Sequence, residues 1–351
     1  MRSEIEGNSE LGGLRKKIHV RVIENKLTGL RDLEQKLGPI QRRTFRKRYG
    51  NLLGLLEVEV QIPAVTALTQ YYDPPLRCFT FQDFQLVPTL EEFEQILEMP
   101  LEGSVPYKHL EQHASIPTLA GIMKIHPREL ESKFVTRKGI KGFPQRYLET
   151  YLYQLADKGD WETFVDVLAL VVYGVLIFSN HEDFVGYDTI DVFVAVKTRA
   201  EILVPAILAD TYTTLNSCHE WRNRKMLCYI PALYVWLASR IGDRMIGVKC
   251  PVELVTRRGP EVKGGREWRE FFAGLNETKI QWQPSWQLRS RLIYYCGKYP
   301  NVPLVGTRCC INYNPVLAQR QFGYPIRGAP TPASLTAMLF YYEDGDATKV
   351  L

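Results

Sequence analysis

Apolar positions recur every three to four residues over most of this chain, the period of helices packed on one face. The clearest unit runs from Phe84 to Leu101. Pro88 holds the entry extended. Thr89 and Glu92 have the spacing of a capping box. Leu90, Phe93, Ile96 and Leu97 share one helical face, and Pro100 ends the helix. Glu91, Glu92 and Glu94 fall near its start, where the helix dipole favours negative charge. Solvation of that helix start is the expectation, because no partner is visible that would shift a carboxyl for acid–base work. Just upstream, Cys78–Phe81 and Phe84–Leu86 flank Gln82-Asp83 as the two strands of a tight hairpin.

The same periodicity predicts two short helices in Leu27–Leu56, broken near Gly38-Pro39, and another over Pro63–Tyr72. Helical pieces follow at Pro117–Lys124 and His126–Phe134. From Pro144 onward the pattern is densely helical: Pro144–Lys158, Trp161–Ser179, Ile190–Lys197, Ile202–Trp221 and Met226–Ile241. Asp160 is placed to cap the second of these, and Asp188 or Thr189 to start the third. Pro205 and Pro231 fall in first turns, where proline is tolerated. Residues 102–116, the basic stretch Arg137–Gly142 and residues 251–265 read as loops, with a short helix at Glu267–Gly274. Strands are expected at Lys279–Trp282, Arg291–Cys296 and Val302–Val305, a turn at Asn312–Pro315 and a short helix at Val316–Phe322. Short connections between helices predict a mainly α fold, an antiparallel helical array with a small β-hairpin near residues 78–87 and a short β-containing C-terminal part. The expected organisation is a loosely ordered basic segment at 1–26, a globular domain over 27–325, then a linker and the start of a further element at 326–351. Leu351 thus reads as an arbitrary end.

Val167–Phe178 is uninterrupted by charge but spans 12 residues, short of the roughly 20 a membrane span needs. A buried core helix is expected there, and no membrane partner. Apolar residues make up 45% of the chain and charged residues 24%, as in soluble globular domains. The net charge of +5 is uneven: residues 1–50 hold 13 Lys and Arg against 6 Asp and Glu. A positive segment at one end suits a polyanion or an import receptor. Seven scattered cysteines form no Cys-x-x-Cys or zinc-finger quartet, which points to reduced thiols in the nucleus or cytoplasm.

The sharpest polar feature is Arg42-Arg-Thr-Phe-Arg-Lys-Arg48. Arg42, Arg43, Arg46, Lys47 and Arg48, with Phe45 and Tyr49 nearby, are candidates for nucleic-acid or import-factor binding, set against a solvated helix face. A two-metal nuclease would need clustered carboxylates. Asp166, Asp183, Asp188, Asp191 and Asp210 are available but fall in a helical region, where scatter is the plainer reading. Cys218-His219-Glu220 and His181-Glu182-Asp183 carry reactive side chains, yet neighbours on a helix do not face one another. Cys309 and Cys310, at a strand edge, point oppositely. No catalytic, metal or cofactor motif emerges. Six tryptophans and 19 tyrosines mostly belong to the core, and any exposed group would favour a protein interface.

The chain also resembles the plant mobile domain family, labelled aminotransferase-like. Arg48-Tyr-Gly-Asn-Leu-Leu-Gly-Leu-Leu56 looks like its opening helix. Val87-Pro-Thr-Leu-Glu-Glu-Phe-Glu-Gln-Ile-Leu97 with Met99-Pro-Leu101 looks like its central signature. Tyr173–Phe178 looks like its buried helix. Pro205–Tyr212 and Cys228–Leu237, with Trp236, look like its late helix pair. The resemblance covers residues 40–325. It departs where Gln82-Asp83 replaces a Trp-Gly and Glu98 a glycine. It implies a non-catalytic nuclear protein-interaction module of transposable-element origin, linked to silencing or genome maintenance, with unknown protein partners. The alternatives are a nucleic-acid-binding accessory of a mobile element, or a hydrolase or nuclease with an unidentified site. No pyridoxal-phosphate lysine and phosphate site is recognisable, so no cofactor is expected.

Overall fold

Leu30 and Leu33 bury one face of α1 (Thr28–Gln35), and Pro39 opens α2 (Pro39–Tyr49), whose Phe45 and Tyr49 lie four residues apart on its buried side. This computed structural model describes residues 18, 20–22 and 27–350, except 111–112, 179–182, 221–223, 227, 243–246, 288–291, 294–295, 297–300, 308, 325–329, 336–338 and 344–345. Ahead of α1 lies a short strand, β1 (Val20–Val22). After α2, Gly50 adopts φ +70°, and a Cβ there would meet the Leu97 carbonyl. The chain then turns into α3 (Leu52–Leu56) and α4 (Ile62–Leu68), which tightens into a 3₁₀ turn at Thr69–Tyr71.

The expected hairpin forms. β2 (Tyr72–Asp73), β3 (Cys78–Thr80) and β4 (Gln85–Leu86) make one antiparallel sheet, with Phe79 opposite Leu86. α5 (Leu90–Leu97) follows with the capping box in place: Glu92 N–H donates to Thr89 Oγ1, and the Glu92 carboxylate accepts from Thr89 N–H. β5 (Val105–Pro106) leads to α6 (Ile116–Met123) and α7 (Pro127–Ser132). Arg137–Gly142 is not the loop its glycines suggest. β6 (Val135–Arg137) and β7 (Ile140–Pro144) form a hairpin turned by Lys138 and Gly139, both at positive φ. A two-residue turn with both φ angles positive matches strand twist, and Lys-Gly supplies it without the usual asparagine.

Two buried helices organise the rest. α8 (Gln145–Lys158) turns at Gly159-Asp160 into α9 (Trp161–Val172), where Asp160 accepts from Thr163 N–H. α9 is buried continuously from Thr163 to Val172, then widens into a π turn at Tyr173–Ile177. No helix among the described residues is long and apolar enough to cross a membrane. β8 (Phe184–Gly186) pairs with β7 and leads into α10 (Tyr187–Arg199). β9 (Glu201–Ile202) pairs in parallel with β5. α11 (Val204–Glu220) is the second central helix, packed against α5 and the C-terminal sheet. β10 (Arg224–Met226) pairs in parallel with β1, and α12 (Ile230–Ile241) lies against α5 and α4. Both Pro205 and Pro231 occupy second helical positions, as expected.

Residues 251–258 are helical rather than looped. α13 (Pro251–Arg258) has proline at its first position, Glu253 in its first turn and arginines in its last, the polarity a helix dipole favours. α14 (Gly265–Ala273) ends ahead of a 3₁₀ turn at Glu277–Lys279. No strand forms at Lys279–Trp282; the Gln281 and Trp282 carbonyls instead accept from a buried arginine. Expected strand Arg291–Cys296 lies partly outside the described residues. β11 (Val302–Val305) and β12 (Cys309–Tyr313) pair, so the expected turn at Asn312 is still strand. A 3₁₀ helix covers Pro315–Phe322. α15 (Pro332–Leu335), β13 (Leu339–Glu343) and β14 (Asp346–Val350) complete a four-stranded sheet in the order β11-β12-β13-β14. Cys309 and Cys310 therefore lie on an interior strand, not an edge. The whole is mainly α with small β parts.

Candidate functional site

The five cations of α2 do not form one open patch. Arg42 pairs with Glu34 and donates to the Leu37 and Glu34 carbonyls, tying α2 to α1. Arg46 grips Glu98, at the left-handed end of α5, through Nε at 2.6 Å and Nη2. That hydrogen bond raises the pKa of Arg46. Arg48 donates to Asp166 on α9 at 3.1 Å. Asp166 is buried and also accepts from Tyr49 Oη at 2.7 Å and Lys197 Nζ at 2.6 Å. Arg43 and Lys47, one turn apart and exposed, are in no ion pair among the described residues.

This sorting yields a prediction. Changing all five cations to glutamine lowers stability, because three of them hold helices together. Arg43→Gln with Lys47→Gln leaves the melting temperature unchanged. Two phosphate contacts give a salt slope no steeper than about −1.8 in a log–log plot. Nucleic-acid titrations at several salt concentrations, alongside thermal melts of both variants, check both points.

Glu91 and Glu92 of α5 are buried rather than solvated as the sequence implied, while Glu94 is half-exposed. Glu92 is fully buried, and its carboxylate takes an ion pair from Arg240 of α12, which is equally buried. It also accepts from Trp236 Nε1 at 3.0 Å and from Gln321 Nε2 at 3.1 Å. Arg240 donates further to the Gln281 and Trp282 carbonyls and to Gln287. Burial lowers the Arg240 pKa to about 9, which leaves it charged at neutral pH. Glu91 is also buried. Desolvation raises its pKa to about 7, while Ile293 N–H, donating at 2.5 Å, partly offsets this. The partners come from positions more than 140 residues away, so nothing local in the sequence announced them.

A groove opens beside the hairpin. It encloses about 980 Å³ between α4, the β3–β4 turn and α14, with Ile62, Ala67, Tyr71, Phe81 and Ala273 on its walls. Neither Glu91 nor Glu92 lines it. Tyr71, Phe81 and Phe84 stack in series at 4.8 and 4.6 Å, and Trp282 meets Phe84 edge-on. Gln70 also lines the groove. Its side-chain amide accepts from Ile18 N–H and donates to Ile18 C=O, both at 2.9 Å. Deep in the fold Gln321 does the same to Val87, accepting from its N–H at 2.8 Å and donating to its C=O at 2.9 Å. A carboxamide used this way reads extended backbone without regard to side chain.

The other reactive groups are dispersed. Asp210 accepts from Thr307 N–H and Oγ1. His219 bonds the Thr69 carbonyl at 2.9 Å. His181 and Glu182 lie outside the described residues, and Asp183 is exposed at positive φ. Asp188 and Asp191 do meet, one turn apart on α10, in the company of His113. His113 was not singled out in the sequence, and its only signal was an isolated histidine in a loop.

A family model described as a domain of unknown function (DUF7745) matches residues 30–351. The chain belongs to this family. Comparison with curated proteins and with solved structures returns no match. The matched span runs from α1 to the last strand, and so includes α4, the hairpin and α14, which build the groove.

Proposed function

We propose that this chain is a non-catalytic interaction module that takes up an extended, apolar segment of a partner protein in the groove between α4, the hairpin and α14. The observation that carries this is the Gln70 clasp on Ile18, beside an apolar cavity of about 980 Å³ with a stacked aromatic wall. Extended segments are recognised by main-chain hydrogen bonds with pockets for alternate side chains. Val20–Val22, continuing the same segment, adds as a parallel strand to β10. The chain's own residues thus occupy one end of a site built for a strand. Glu34, Glu98, Asp166 and Glu92 pair with cations of neighbouring elements as struts, which supports a binding role rather than chemistry for these groups. The resemblance to the plant mobile domain family supports a nuclear setting for this partnership, transposon-derived and tied to silencing or genome maintenance.

The test uses a chain that starts at Leu27 and a labelled peptide with the sequence of residues 15–23. Fluorescence anisotropy is expected to show saturable micromolar binding. Gln70→Ala weakens it about ten-fold, the worth of a backbone hydrogen-bond pair, and Ala67→Arg, which fills the groove, abolishes it. Absence of binding, or binding indifferent to both changes, contradicts the reading.

A further inference from the structure

β5 pairs in parallel with β9, and His113 and Ala114 lie against the start of α10. Tyr107 N–H donates to the Ile202 carbonyl and Lys108 N–H to Glu201. Ala114 is held on both sides. Its N–H donates to Asp191 Oδ1 at 2.7 Å, and its carbonyl accepts from Tyr187 Oη at 2.9 Å. His113 is thereby set against α10, its ring 4.8 Å from that of Tyr187 and its Nδ1 at 2.6 Å from Asp191 Oδ2. Asp188 belongs to the first turn of α10, which Gly186 caps without a side chain. Its carboxylate is therefore not spent on capping.

One ligand atom each from His113, Asp188 and Asp191 lies within 4.8 Å of the other two. Bonds of about 2.1 Å to one cation place neighbouring ligand atoms roughly 3.0–3.5 Å apart, so small side-chain rotations complete the set. We infer that these three residues bind a divalent transition-metal cation of the zinc or cobalt type. One imidazole nitrogen and two carboxylate oxygens are the donor set that suits such ions. Asp191 is oriented by Ala114 N–H on Oδ1, and its Oδ2, now at 2.6 Å from His113 Nδ1, turns to the cation when the metal takes the place of the proton between them. His113 is 64% exposed and Asp191 17% exposed on their side chains, so water completes the coordination. The site faces a cavity of about 280 Å³ that His113 and Asp191 help to line, which gives a small ligand room to reach the metal.

The test is a Co²⁺ titration of the full chain near neutral pH, followed by visible absorption. One Co²⁺ per chain, with nitrogen–oxygen d–d bands and no thiolate charge-transfer band, is the expected result. His113→Ala and Asp191→Asn each weaken uptake by at least about ten-fold. His113 is on the surface, so its variant keeps the fold even if the aspartate variant does not. Zn²⁺ should also raise the melting temperature of the native chain and leave that of His113→Ala unmoved. No saturable uptake, a thiolate band, or uptake unchanged in His113→Ala would overturn the proposal.

Discussion

Arg240→Met is expected to lower the free energy of unfolding by about 3–5 kcal/mol, the usual cost of stranding one member of a buried ion pair. Glu92 would keep its charge with only the Trp236, Gln321 and Thr89 donors around it. The Gln281 and Trp282 carbonyls would lose their donor as well. Glu92→Gln combined with Arg240→Met should be less damaging than Arg240→Met alone. Glutamine still accepts from Trp236 and Thr89 and carries no charge to strand. Urea unfolding of the two variants and the native chain checks the order. If the double variant is the less stable of the two, the stranded charge is not what costs the fold.

The second large effect concerns Glu91. Its pKa is about 7 in the fold, against about 4.5 for an ordinary glutamate. Between those values the folded chain holds a proton that the unfolded chain releases. The contribution to stability is complete below pH about 4.5 and is lost as pH rises through about 7. A shift of this size corresponds to about 3 kcal/mol. Glu91→Gln should therefore stabilise the protein near pH 8 by up to that amount and change little near pH 5. Glutamine keeps an oxygen for Ile293 N–H. Unfolding curves of variant and native chain at the two pH values give the difference directly. Equal differences at both would mean that Glu91 titrates normally.

Local signals told most of what they could. The Thr89–Glu92 capping box, the Asp160 cap and the hairpin across Gln82-Asp83 were all legible, because each is decided within a few residues. α13 was missed although Pro251, Glu253 and Arg257-Arg258 carry the polarity of a helix; its apolar stripe is only Val252, Leu254 and Val255. The Lys138-Gly139 hairpin was missed because a basic, glycine-bearing run reads as loop. Candidate sites were less visible still. The α2 cations looked like a surface patch, since their partners Glu98 and Asp166 are 52 and 118 residues away. Glu92 looked solvated for the same reason, its arginine lying 148 residues on. Gln70 gave no sign of its role, because a glutamine that reads backbone has no sequence pattern.

The most direct test of the groove as a strand-binding site compares two peptides spanning residues 15–23 on the chain that starts at Leu27. One carries an N-methyl group on the Ile18 amide; the other has valine in place of Ile18. The account predicts that N-methylation, which removes the N–H that Gln70 accepts, weakens binding about ten-fold, while the valine peptide binds nearly as well as the native one. Undiminished binding of the N-methyl peptide would contradict it, since the groove would then not be reading extended backbone.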